Sequence, residues 1–130
     1  MRDTLGMEAR RIACALLPLL LIPISSAQAQ FTYTTNGEAV TITGYTGTGG
    51  DVTVPETINV NGTDLPVTCI GNSAFGGASS LTAITIGNNV TSIEGWAFFY
   101  CSSLASVSLG NSVTSIGEAA FSYCRSLVEF

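Results

Sequence analysis

Apolar and polar positions repeat along the second half of this chain with a fixed period. Three stretches begin at Ile70, Ile93 and Ile116, 23 residues apart. Each reads Ile, four residues, Phe, five residues, Leu, and the first two run on into a short alternating stretch. The copies 70–92 and 93–115 share 11 of 23 positions, where unrelated segments of ordinary composition share about one or two. The third, incomplete copy, 116–130, keeps Ala120, Phe121, Ser126 and Leu127, and shares Tyr123 and Cys124 with Tyr100 and Cys101 of the second. A fixed period of this length marks a solenoid, whose units stack because none buries its apolar face alone.

Each copy predicts one coil. Ile84 and Ile86 flank Thr85 and recur as Val107 and Leu109, so each pair lies on one face of a short strand. Gly87-Asn88 and Gly110-Asn111 are turn residues that end these strands. Val90 and Ile93 then return to the core. Ala97-Phe98 fits one helical or 3₁₀ turn, with both side chains inward. Stacking sets the strands side by side in a parallel sheet.

The spacing Leu81-x-x-Ile84-x-Ile86-x-x-Asn89 resembles the opening of a leucine-rich repeat, with Thr91 where the closing Leu is usual. The motifs Ala97-Phe98-Phe99-Tyr100-Cys101-Ser102-Ser103-Leu104 and Val113-Thr114-Ser115-Ile116-Gly117 are similar to the bacterial BspA-like variant. The first copy departs from it, with Ala78 in place of Cys. The resemblance covers residues 70–130 and extends weakly upstream. It implies a leucine-rich-repeat solenoid, secreted or on the cell surface, with a binding or adhesion role.

Residues 31–69 alternate with period two through Phe31-Thr-Tyr33, Val40-Thr-Ile42 and Val52-Thr-Val54, which predicts strands. The spacing from Val54 to Ile58 matches that from Ile86 to Val90. The spacing from Val67 to Ile70 matches that from Val90 to Ile93. Residues 30–69 therefore predict a β-rich N-terminal cap built on a divergent repeat, with an insertion turned as a hairpin at Asn61-Gly62. Residues 1–29 read as a signal peptide: Arg2, Arg10 and Arg11, an apolar run from Ile12 to Ile24 interrupted by Pro18 and Pro23, then Ala27-Gln28-Ala29 as the cleavage site. The run is short of the roughly 20 residues a membrane span needs. Cleavage after Ala29 predicts an exported chain with no stable membrane span.

Charge and cysteine content narrow the chemistry. Beyond residue 29 the one base is Arg125, against Glu38, Asp51, Glu56, Asp64, Glu94, Glu118 and Glu129, which leaves −6. A nucleic-acid partner needs bases to displace counterions, so that class is excluded. An anionic membrane surface is disfavoured on the same ground. With no His anywhere, the serines lack that base, and Asp51, Glu56 and Asp64 sit where solvated acids are ordinary. No catalytic residue, metal site or cofactor is expected. Cys101 and Cys124 fall at equivalent positions. A disulfide between them is open on spacing, but stacked side chains point in parallel, and a ladder of free thiols is the expectation. Cys69 aligns with Ser92 and Ser115.

Two surfaces remain for recognition. The strand face offers Thr82, Ala83, Thr85, Ala105, Ser106 and Ser108, which are small and supply no anchor. Trp96, Phe99 and Tyr100 are spaced i, i+3, i+4, which on a helical turn is one side, with Tyr123 beneath Tyr100. These four are the candidate contact residues; padding between adjacent coils is the competing role. The expected function is non-catalytic binding of a protein or a surface glycan, with a structural spacer in a larger envelope protein as the alternative. Leu127-Val-Glu-Phe130 aligns with Leu104-Ala-Ser-Val107, so the sequence given stops in mid-strand. Either a longer array or self-association through the open edge is the expectation there.

Overall fold

The computed structural model describes residues 30–130; the expected signal peptide lies outside the described residues. Nine strands follow in order: β1 (Phe31–Thr35), β2 (Val40–Tyr45), β3 (Gly50–Thr53), β4 (Thr57–Val60), β5 (Thr63–Ile70), β6 (Leu81–Thr85), β7 (Ser92–Ile93), β8 (Ser106–Ser108) and β9 (Ser115–Ile116). They form two sheets. One has the order β1-β2-β5-β7-β9 with β4 paired to β5, and the other is β3-β6-β8. From β2 onward the chain alternates between the sheets, one visit to each per coil. Every pairing between successive coils is parallel. This is the leucine-rich-repeat solenoid that the repeat predicts, preceded by β-rich structure.

The register follows the repeat. Ala83, Ile84 and Thr85 pair with Ser106, Val107 and Ser108. Ile70 pairs with Ile93, and Ile93 with Ile116. Cys69 pairs with Ser92, as its alignment implies. Upstream, Val52 pairs with Ile84, so β3 is the divergent copy of the same strand. The insertion between Ile58 and Val67 is the β4–β5 hairpin. Its turn residues Asn61 and Gly62 have φ of 53° and 90°, which is why Asn-Gly is suited to a two-residue hairpin turn.

The core lies between the two sheets. Val40, Ile42, Val67 and Ile70 are fully buried, as are Leu81, Val90, Phe98 and Leu104. No polar or charged residue among those described is buried. Phe75, Phe98 and Phe121 stack face to face at 4.8 and 5.0 Å, with interplanar angles of 11° and 3°. This matches the roughly 4.8 Å between neighbouring strands. Phe31 and Tyr45, from the β1–β2 hairpin, close the upstream end of the stack against Phe75.

Coils approach too closely for side chains at certain glycines. A Cβ on Gly110 would lie 2.3 Å from the Gly87 carbonyl oxygen, and one on Gly117 would lie 2.4 Å from the Gly95 nitrogen. The connection from Ala97 onward differs from a helical piece. Among the described residues there is no helix; the segments are isolated turns closed by bonds such as Gly76 N–H to Ser73 and Ala78 N–H to Phe75. The reason is two left-handed positions per coil. Ser73, Trp96 and Ala119 hold φ of 58°, 61° and 56°, and Gly77, Tyr100 and Tyr123 hold 77°, 61° and 64°. Left-handed backbone costs a non-glycine residue on the order of 1–2 kcal/mol and interrupts a right-handed turn. Bonds to the next coil offset it: Trp96 N–H to Glu118, Phe98 N–H to Ala120 and Tyr100 N–H to Ser122.

Candidate functional site

These turns build the candidate site. Inward, Ala97 and Phe98 are fully buried, as the repeat predicts. Outward, Trp96, Phe99, Tyr100 and Tyr123 come together. Phe99 meets Trp96 edge-on at 4.9 Å, Tyr100 at 4.8 Å and Tyr123 at 5.4 Å. Tyr100 and Tyr123 stack at 4.7 Å and 8°. The residues at i, i+3, i+4 thus meet through a turn rather than a helix. Trp96, Tyr100 and Tyr123 are 40%, 47% and 51% exposed, and Phe99 between them is half-buried. Arg125 places its guanidinium 5.6 Å from the Tyr123 ring centre. No carboxylate among the described residues is ion-paired with it.

The other candidate surface is weaker. Thr82, Thr85 and Ser108 are exposed, and Ala83, Ala105 and Ser106 half-buried. A shallow recess of about 480 Å³ runs along these strands, edged by Thr85, Ser106, Ser108 and Glu129. Phe130 is the one aromatic among its lining residues, and it lies at the edge of the recess beside Glu129.

Asp51, Glu56 and Asp64 each support the fold. Asp64 accepts from the Asn59 amide at 2.7 Å within the hairpin. Asp51 accepts from the Thr82 hydroxyl at 3.3 Å. Glu56 ties the divergent repeat to the next turn by accepting from the Asn88 N–H, while its carbonyl accepts from the Asn89 amide. Among the described residues no group of three metal-ligating side chains comes together.

The three cysteines described are free. The Cys101 thiol donates to the Phe75 carbonyl and the Cys124 thiol to the Phe98 carbonyl, both at 3.1 Å. Each thiol is thus directed at the backbone of the preceding coil rather than at the other sulfur. Burial pushes the Cys101 thiol up to about 12, with a smaller push from Cys124 beside it. Burial also raises Cys124. Cys69 is raised, first by burial and then by Glu94, to which it donates at 3.2 Å.

Coils of 23-residue period with this register decide the family. The family described as BspA type leucine-rich repeat region matches residues 53–130 in six copies. The chain belongs to the BspA-type leucine-rich repeat family. Solved structures agree. A leucine-rich cell surface protein from Faecalibacterium prausnitzii aligns with a TM-score of 0.72 at 29% identity, over 83% of this chain and 30% of its own. A leucine-rich repeat protein from Bacteroides capillosus aligns at 0.68 and 33% identity, over 75% of this chain and 74% of its own. Another from Bacteroides ovatus aligns at 0.70 and 29%, over 78% of this chain and 28% of its own. The chain therefore spans less than a third of the length of two of these three. No curated protein matches it. The family match begins at residue 53, so it takes in the divergent repeat upstream of Ile70.

Proposed function

We propose that this is an exported, cell-surface binding protein that recognises another macromolecule through preformed contact, without chemistry, and that Trp96, Phe99, Tyr100 and Tyr123 are the contact residues. One observation carries the reading. These four aromatics form a single cluster on the outside of the solenoid, while the inner phenylalanine stack fills the core without them. Exposed aromatics in contact with one another are the residue types that dominate interface energetics. Export is supported by the first 29 residues and by the F. prausnitzii relative, which is described as a cell surface protein. Among the described residues no helix is long and apolar enough to cross a membrane.

The test is an isotherm. The exported chain is titrated over an array of immobilised matrix proteins and surface glycans. The reading expects saturable binding to at least one of them. It also expects loss of that binding when Trp96, Phe99 and Tyr100 are changed to Ala, with the circular dichroism spectrum retained. Absence of saturable binding, or a triple variant that binds as the parent does, overturns it.

A further inference from the structure

The outer aromatic stack ends differently on its two sides. Tyr123 carries the Arg125 guanidinium beside its ring. Tyr100 has Tyr123 against one face. Its other face turns toward the preceding coil, where the equivalent position is Gly77 and the neighbour equivalent to Phe99 is Gly76. A Cβ on Gly77 would meet nothing within 4 Å. One rung of the stack is therefore missing. The open position lies one coil from the Tyr100 ring, about 4.8 Å by strand spacing, with that ring as its floor.

We propose that this missing rung receives an arginine guanidinium from a basic segment of a partner protein. The proposal rests on the reading of the aromatic cluster as a recognition surface and names the chemistry it selects. Three observations converge. A guanidinium is planar, fits a gap one rung thick, and is attracted to an aromatic face. The molecule already places one beside the opposite end of the same stack, at Tyr123. The chain beyond residue 29 is, as a whole, also complementary in charge. Beyond residue 29 all seven carboxylates are exposed, none is ion-paired among the described residues, and the one base, Arg125, leaves −6. Such a field steers a basic partner inward and speeds encounter. A phenyl ring or a sugar would fit the gap by shape but would gain nothing from this field.

The test uses the exported chain and a blocked Gly-Arg-Gly-Arg-Gly peptide, with lysine and citrulline counterparts, read by the Tyr ring proton resonances. The arginine peptide is expected to shift the Tyr100 resonances, the lysine peptide less so, and the citrulline peptide not at all at equal concentration. Raising the salt weakens the shift, since exposed charges are screened. Gly77→Tyr fills the rung. Tyrosine already occupies the equivalent left-handed positions at 100 and 123, so this variant is expected to fold. It is expected to weaken the arginine peptide by roughly threefold to thirtyfold, the span of one cation–aromatic contact. Tyr100→Leu, which removes the floor, is expected to do the same. Three results overturn the proposal: no shift with the arginine peptide, equal binding of the citrulline peptide, or unchanged affinity in both variants. On the array, binding kept by Gly77→Tyr but lost in the Trp96, Phe99, Tyr100 triple variant sinks the guanidinium and leaves the recognition surface standing. Binding kept by both sinks the surface as well.

Discussion

Two aromatic stacks run through the same coils with the same period, and they have opposite fates. The inner one, Phe75–Phe98–Phe121, is continuous and is closed upstream by Tyr45 and Phe31. The outer one, Tyr100–Tyr123, is exposed and lacks the rung at Gly77. The repeat explains why both exist, since any side chain recurring every 23 residues meets its own copy one coil away. Burial explains why they differ. A gap in the inner stack would leave a cavity in a close-packed core, whereas a gap in the outer stack opens to water. The inner stack is therefore constrained by folding, and the outer one is free to vary from coil to coil. A surface that varies on a constant frame is where repeat proteins place recognition.

The largest effect is expected in the inner stack. Phe98→Ala removes a fully buried ring from between two others, and a loss of about 3–5 kcal/mol is expected from urea unfolding. Next comes the contact between coils that makes both stacks regular. Gly110→Ala drives a Cβ to within 2.3 Å of the Gly87 carbonyl oxygen. Forcing the coils apart is expected to cost about 1–3 kcal/mol, checked by thermal unfolding. Because the clash is with backbone, no side-chain movement relieves it.

A smaller effect sharpens the same contrast through Cys101, which lies at the inner side of the turn. Its thiol, ordinarily near 9.0, is pushed up to about 12 by burial. The raised value means that the folded chain keeps a proton the unfolded chain releases. Its contribution to stability is complete below about pH 9 and falls as pH rises toward 12. Cys101→Ala is expected to flatten part of that alkaline decline in the unfolding midpoint. An unchanged slope would show that the thiol is not held in its protonated form by the fold. The same burial predicts that iodoacetamide at neutral pH leaves Cys101 unlabelled in the folded chain and labels it after denaturation, which mass spectrometry reads directly.

Much of this was legible from spacing alone. Ile70, Ile93 and Ile116 pair in register, and the Asn61-Gly62 hairpin sits where the insertion was expected. The repeat strands of the β1-β2-β5-β7-β9 sheet are not legible as strand. β7 and β9 are two residues each, too short for period-two alternation to register. The turns are not legible for a different reason. Trp96, Phe99 and Tyr100 fit helical spacing, and nothing in the identity of Trp96 or Tyr100 announces a left-handed backbone, a conformation glycine usually signals. The first copy did carry that signal at Gly77. Read against Tyr100 and Tyr123, it marks both the left-handed position and the missing rung. The cysteine ladder was legible because equivalent positions in stacked coils point in parallel. The carbonyl that each thiol meets was not, since that depends on the path of the preceding turn.

The most direct measurement gives coil two the residue that coil one already has. Tyr100→Gly removes the ring that stacks on Tyr123 and places glycine at a φ of 61°. The lost stacking is worth about 0.5–1.5 kcal/mol, and relief of the left-handed strain, on the order of 1–2 kcal/mol, offsets it. The account predicts a urea midpoint close to that of the parent, and a clear loss of affinity on the array of surface ligands. A midpoint that falls as far as that of Phe98→Ala, with affinity retained, would contradict it and make the outer aromatics padding for the fold.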